Sequence, residues 1–130
     1  MTDTTHKQQE RRQYKRLRVN LAVVFRVDKT SRVRMSVENK DIHANMIDLS
    51  ETGMAILSNY DLPAGTVLSM KFTLFRVDTD DVSFYGPMEI VGEVSYRYTL
   101  SANEFRLGIV FTKINTDDRG EIAGFVKDFG

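Results

Sequence analysis

The chain has 130 residues, with 18 Lys/Arg balanced by 18 Asp/Glu, two histidines and no cysteine. That length suits one domain with a real hydrophobic core. The lack of Cys excludes disulfides, thiolate metal sites and cysteine nucleophiles, and favours a reducing compartment. His6 and His43 are the only imidazoles, and no spacing gathers carboxylates around them, so a zinc or non-haem iron site is short of ligands.

Residues 1–9 are polar and read as a disordered tail, and residues 10–130 as one domain. MTDTTHKQQE lacks the apolar run of a signal peptide, and no stretch approaches the ~20 apolar residues of a membrane span. A soluble, cytoplasmic protein without membrane insertion is expected. The zero net charge hides an asymmetry. Residues 1–18 hold six cations (Lys7, Arg11, Arg12, Lys15, Arg16, Arg18) against Asp3 and Glu10, leaving 12 cations against 16 acids in the remainder. A basic arm on an acidic body serves an anionic partner or folds back on its own body.

From Val19 onward the apolar residues alternate with period two, which predicts strands with one buried face. Val19, Leu21, Val23, Phe25 and Val27 form the first run. Val33, Met35 and Val37 form a weaker one past the DKTS turn, as a hairpin extension whose Arg32 and Arg34 read as charges that blunt an exposed edge. Ile42, Ala44 and Met46 lead into another, and Met54 to Leu57 follows Gly53. Then come Leu68–Leu74, Met88–Tyr96 and Phe105–Phe111. In TDDRGEIAGFVKDF, residues 116–129, Ile122, Phe125, Val126 and Phe129 fall at helical spacing, with Asp118 and Glu121 placed as an N-cap and its N3 partner. Short antiparallel strands and one helix that can close an open end predict an all-β small barrel.

Two stretches carry chemistry. Arg12 and Arg16 are neighbours on a helix, or on the same side of an extended chain about 13 Å apart. Their planar forks bond phosphate bidentately and read the O6/N7 edge of guanine. Taken alone, such a run more commonly means a solvated basic tail. The second stretch is DLSETG, Asp48 to Gly53. Asp48 can accept from the N1–H and N2–H₂ donors of guanine, Ser50 can serve a base edge or a phosphate, and Gly53 permits a positive φ at the turn. Alone, the stretch reads as an ordinary Asx-type turn. Continuing the parity of Ile42–Met46 aims Asp48 into the core, where an unpaired carboxylate is costly. The ladder is therefore expected to shift near Asn45–Ile47, burying Leu49 and turning Asp48 and Ser50 outward.

Together, Arg12-Gln-Tyr-Lys-Arg16 before the first strand and Asp48-Leu-Ser50-Glu-Thr-Gly53 after it resemble the R-x-x-x-R and [D/N]-x-S-x-x-G motifs of the PilZ domain family of bacterial cyclic di-GMP receptors. Val91-Gly-Glu-Val94, Arg106-Leu-Gly-Ile-Val-Phe111 and the closing helix extend the resemblance over nearly the whole chain. The loop between the first strand and DLSETG looks longer than the family's. The resemblance implies a six-stranded antiparallel β-barrel with a C-terminal helix, whose arginine arm clamps the dinucleotide against the motif strand. It assigns Arg12 and Arg16 to phosphate and guanine O6/N7, Asp48 and Ser50 to guanine polar edges, and Gly53 to the turn. Arg11 is a third cation, and two cyclic di-GMP molecules per domain become possible. No other cofactor is implied. A receptor of this kind is not an enzyme, and it acts by contact with a downstream protein of motility, pilus or polysaccharide machinery. Two other classes compete: a nonspecific nucleic-acid-binding β-barrel, and a PilZ-like adaptor that binds only protein. The aromatics Phe25, Phe72, Tyr96, Phe105 and Phe111 read as core, which argues against a stacking platform for nucleic acid. The intact motifs argue against the second.

Overall fold

The computed structural model describes residues 14–28, 40–77 and 79–129. Arg11, Arg12, residues 1–9 and the expected hairpin extension with Arg32 and Arg34 lie outside the described residues. Among those described, the strands are β1 (Leu17–Val27), β2 (Ile42–Ser50), β3 (Gly53–Ser58), β4 (Val67–Val77), β5 (Val82–Ser101) and β6 (Glu104–Lys113). One helix follows, α1 (Thr116–Phe129). All pairings are antiparallel, and the order β1-β2-β3-β6-β5-β4 closes on itself through β1 and β4.

The alternation along β1 and β4 sets their inner faces. Val23, Phe25, Met46, Leu68, Met70 and Ile90 are at most 1 % exposed and fill the barrel. No helix among the described residues is long and apolar enough to cross a membrane. Helix α1 sends Ile122, Phe125 and Val126 into the same core. Burying three such side chains gains about 1.5–3 kcal/mol each, more than the roughly 1 kcal/mol lost at each of Gly120 and Gly124. Phe129 continues the helical stripe but is half exposed, its ring tilted 45° against Phe125 with centroids 4.9 Å apart.

The helix cap differs from expectation. Asn115 is the cap: its Oδ1 accepts from the Asp118 N–H at 2.7 Å, while its Nδ2 donates to Asp118 Oδ2 at 3.1 Å. Asp118 therefore stands at N3, one turn inside the position expected for it. Its other carboxylate oxygen accepts from the Tyr85 hydroxyl at 3.1 Å, which ties the helix start to β5.

Two of the register shifts turn Asp48 and Tyr96 outward. In the β2–β3 ladder Met46 opposes Ile56 and Asp48 opposes Ala55, so Ile47 is the extra residue. A one-residue bulge moves all later side chains to the other face. Leu49 is thereby buried and Asp48 turned out, as the cost of a core carboxylate requires. The second shift was not anticipated. Val94 opposes Ile109 and Tyr96 opposes Gly108, so Ser95 is the extra residue and Tyr96 leaves the core. It is half-buried on the outer face beside the exposed Tyr98, with centroids 5.3 Å apart. Phe25 and Phe72 are core as expected, and Phe105 and Phe111 pack partly buried against it.

Candidate functional site

The outer surface over β1, β2, β3, β6 and β5 carries one continuous row of paired residues. Arg18 opposes Asp48, Asp48 opposes Ala55, Ala55 opposes Gly108, and Gly108 opposes Tyr96. Both bulges serve this row, since each turns one polar or aromatic side chain onto the outside. The two middle positions have almost no side chain, and the Tyr96 ring lies directly over Gly108, where any Cβ would collide with it. Small residues in the middle leave room for long side chains to cross from either end.

Asp48 is the centre of charge. Its side chain is 14 % exposed, and Arg16 Nη1 donates to Oδ1 at 3.4 Å while Arg106 Nη2 donates to Oδ2 at 3.3 Å. Two cations on one partly covered carboxylate satisfy the requirement that such a group be paired. On the Arg106 side, the nearby Tyr96 hydroxyl and then the Asp48 charge push the guanidinium pKa up, outweighing the opposing effect of partial burial. In the sequence Arg106 is visible only as a residue of the last strand. Its signal there was a charge at an outward parity, and its meeting with Asp48 needs β6 to lie one strand from β2.

Ser50 is on Asp48's face of β2 but is not open to it. It is 2 % exposed, and its hydroxyl is used within the turn. Ser50 Oγ accepts from the Thr52 N–H at 3.3 Å, donates to the Gly53 carbonyl at 3.4 Å and lies 3.2 Å from Thr52 Oγ1. The expectation of an exposed Ser50 is corrected: short-range bonds to the tight Glu51–Thr52 loop draw the hydroxyl in. The loop is held from below as well, since the Phe111 N–H donates to the Thr52 carbonyl at 2.9 Å.

Gly53 is required for another reason than expected. The left-handed backbone among the described glycines is at Gly65 and Gly86, not at Gly53. Instead Gly53 opposes Val110, and a Cβ there would collide with the backbone carbonyl of Ile109. Glycine lets β3 and β6 approach at the end of the turn. Among the described residues no three His, Cys, Asp or Glu side chains gather to hold a metal ion.

The structure thus brings Arg16 and Asp48 together, adds Arg106 and the Tyr96–Tyr98 pair, and uses Ser50 and Gly53 to build the turn. An arginine-lined acidic centre lies on the outside of a closed barrel whose core is filled. The chain belongs to the PilZ domain family, whose model matches residues 10–128. Two solved structures share the fold. Against the structure of the Bacillus subtilis inhibitor of motility (MotI/DgrA), the TM-score is 0.66 at 14 % identity, covering 90 % of this chain and 50 % of that one. Against the PilZ domain with c-di-GMP of YcgR from Escherichia coli, it is 0.59 at 13 % identity, covering 92 % and 91 %. The chain therefore spans about half the length of MotI/DgrA. No curated protein matches the sequence.

Proposed function

We propose that this chain is a cyclic di-GMP receptor and adaptor, a binding module and not an enzyme. Arg12 and Arg16, with Arg11 as a third cation, hold phosphate and guanine O6/N7. Asp48 accepts from the guanine N1–H and N2–H₂ donors, while Ser50 and Gly53 act through the turn that places it. The supporting observation is the 3.4 Å ion pair between Arg16 and Asp48, which joins the R-x-x-x-R and D-x-S-x-x-G elements at one spot on the barrel surface. The related YcgR domain was solved with c-di-GMP, which fits the same reading. Closure of the arm over the ligand changes the surface offered to a downstream cytoplasmic protein of motility, pilus or polysaccharide machinery.

Titration calorimetry with cyclic di-GMP tests this directly. Wild type should bind saturably, and Arg12→Ala and Asp48→Ala should each lose about ten- to a hundredfold in affinity, the worth of a charge-assisted contact set of about 1.5–3 kcal/mol. Unchanged affinity in both variants, with the fold intact by circular dichroism, refutes the site. The outward Tyr96–Tyr98 pair favours a second reading, a nonspecific single-stranded nucleic-acid surface. Binding of single-stranded DNA that grows with length and falls steeply with salt, without saturable dinucleotide binding, decides for it.

A further inference from the structure

The carboxylate that Arg106 holds, Asp48, is the one that the receptor reading assigns to the donor edge of a guanine. The N1–H and N2–H₂ of guanine project from one N–C–N unit, as do two N–H groups of a guanidinium, so both present a parallel fork to Asp48. We infer that Arg106 tunes base specificity by competition: it covers Asp48 Oδ2, a guanine has to displace it to reach the carboxylate, and the cost of displacement lowers the preference for cyclic di-GMP. This rests on the cyclic di-GMP reading above.

Three observations carry the inference. First, both oxygens of Asp48 are taken, Oδ1 by Arg16 and Oδ2 by Arg106. Second, the contacts are single-pronged and long, 3.4 and 3.3 Å, where charge-assisted N–H···O⁻ bonds settle near 2.7–2.9 Å. A planar donor fork at full contact wins that exchange. Third, the carboxylate is only 14 % exposed, so Arg106 leaves it at a cost unless a new donor arrives. Adenine turns a ring-nitrogen acceptor toward the carboxylate and cannot supply two donors, so Arg106 stays. The displaced guanidinium also has somewhere to go. Arg106 is 37 % exposed, and its direct partner on β5 is the exposed ring of Tyr98, a face on which a guanidinium can lie.

The test is calorimetry of wild type and Arg106→Met with cyclic di-GMP and cyclic di-AMP. Both ligands carry two negative charges, so the loss of a nearby cation weakens both alike and cancels in their affinity ratio. Relief from displacement benefits only the guanine ligand. The preference for cyclic di-GMP should therefore rise about two- to tenfold in Arg106→Met, the range of breaking one partly exposed ion pair. Arg106→Gln, which keeps a polar side chain, should shift it in the same direction. A ratio that falls means Arg106 itself reads the base, and an unchanged ratio makes it a bystander; either overturns the inference and leaves the receptor reading standing. NMR of the Arg106 guanidinium in wild type needs no weak ligand: saturating cyclic di-GMP should speed its proton exchange, and an unchanged signal overturns the inference. Failure of wild type to bind cyclic di-GMP removes the receptor reading as well.

Discussion

The ring of Tyr14 faces the guanidinium of Arg119, with Cζ 5.8 Å from the ring centroid, and the Nε of the same guanidinium donates to Glu51 at 3.3 Å. Tyr14 is a spacer of the R-x-x-x-R element, Glu51 a spacer of D-x-S-x-x-G, and Arg119 sits in the first turn of α1. The helix thus joins the end of the arm to the turn through positions that the two motifs leave open.

That link is weak enough to be adjustable. A surface cation–π contact contributes about 0.5–1 kcal/mol and an exposed ion pair about 0–1 kcal/mol. Arg119→Ala should therefore leave the melting temperature nearly unchanged, while amide exchange at Lys15 and Arg16 quickens because the arm has lost its contact with the helix. Equal exchange in variant and wild type means that Leu17, at the start of β1, holds the arm unaided.

Gly53→Ala should destabilise the barrel more than Gly65→Ala does. Gly65 has φ of +95° with nothing within 4 Å of an added Cβ, so alanine there meets only backbone strain of about 1–2 kcal/mol. At Gly53 the backbone is ordinary but the new carbon strikes the Ile109 carbonyl, so β3 and β6 have to separate at the turn. Urea denaturation of the two variants measures the difference. A smaller loss at Gly53 than at Gly65 shows that the strands separate easily there.

Gly53 marks a limit of sequence reading, since its glycine answers a close approach of two strands and not a positive φ. Period-two alternation predicts the strands, and the cost of a buried carboxylate predicts a bulge near Asn45–Ile47, where Ile47 is the extra residue. No such penalty flags Ser95, since Tyr96 is as acceptable inside as outside, and its outward turn follows from pairing with Gly108. Arg106 stayed silent because its role depends on a strand order that brings β6 within reach of β2 across β3. Asn115 was legible in principle: an Asn three residues before Asp118 is a capping pattern, masked by the stronger pairing of Asp118 with Glu121.

Alkaline pH should weaken the attachment of α1 to β5. Burial, and then the hydrogen bond to Asp118, raise the Tyr85 phenol above its ordinary value of 10.0. The fold therefore favours the protonated phenol. Its contribution is complete below the unfolded value and disappears as pH rises through the folded one. The stability difference between wild type and Tyr85→Phe should be constant below pH 10.0 and shrink above it. Thermal melts across that range check the point, and a difference that grows with pH reverses the sign assigned here.

Counting forks gives a prediction for the number of ligands. Arg11 directly precedes the R-x-x-x-R element and supplies a third guanidinium beside Arg12 and Arg16. One cyclic di-GMP carries two negative charges, which Arg12 and Arg16 can satisfy. A mutually stacked pair carries four and presents a further guanine face, on which a guanidinium gains about 0.5–2 kcal/mol depending on desolvation. If Arg11 is used, two molecules should bind per domain, and calorimetry should give a stoichiometry near two that falls toward one in Arg11→Ala. A wild-type value of one assigns Arg11 to solvent or to its neighbour Glu10, and leaves the third arginine of the site to be Arg106.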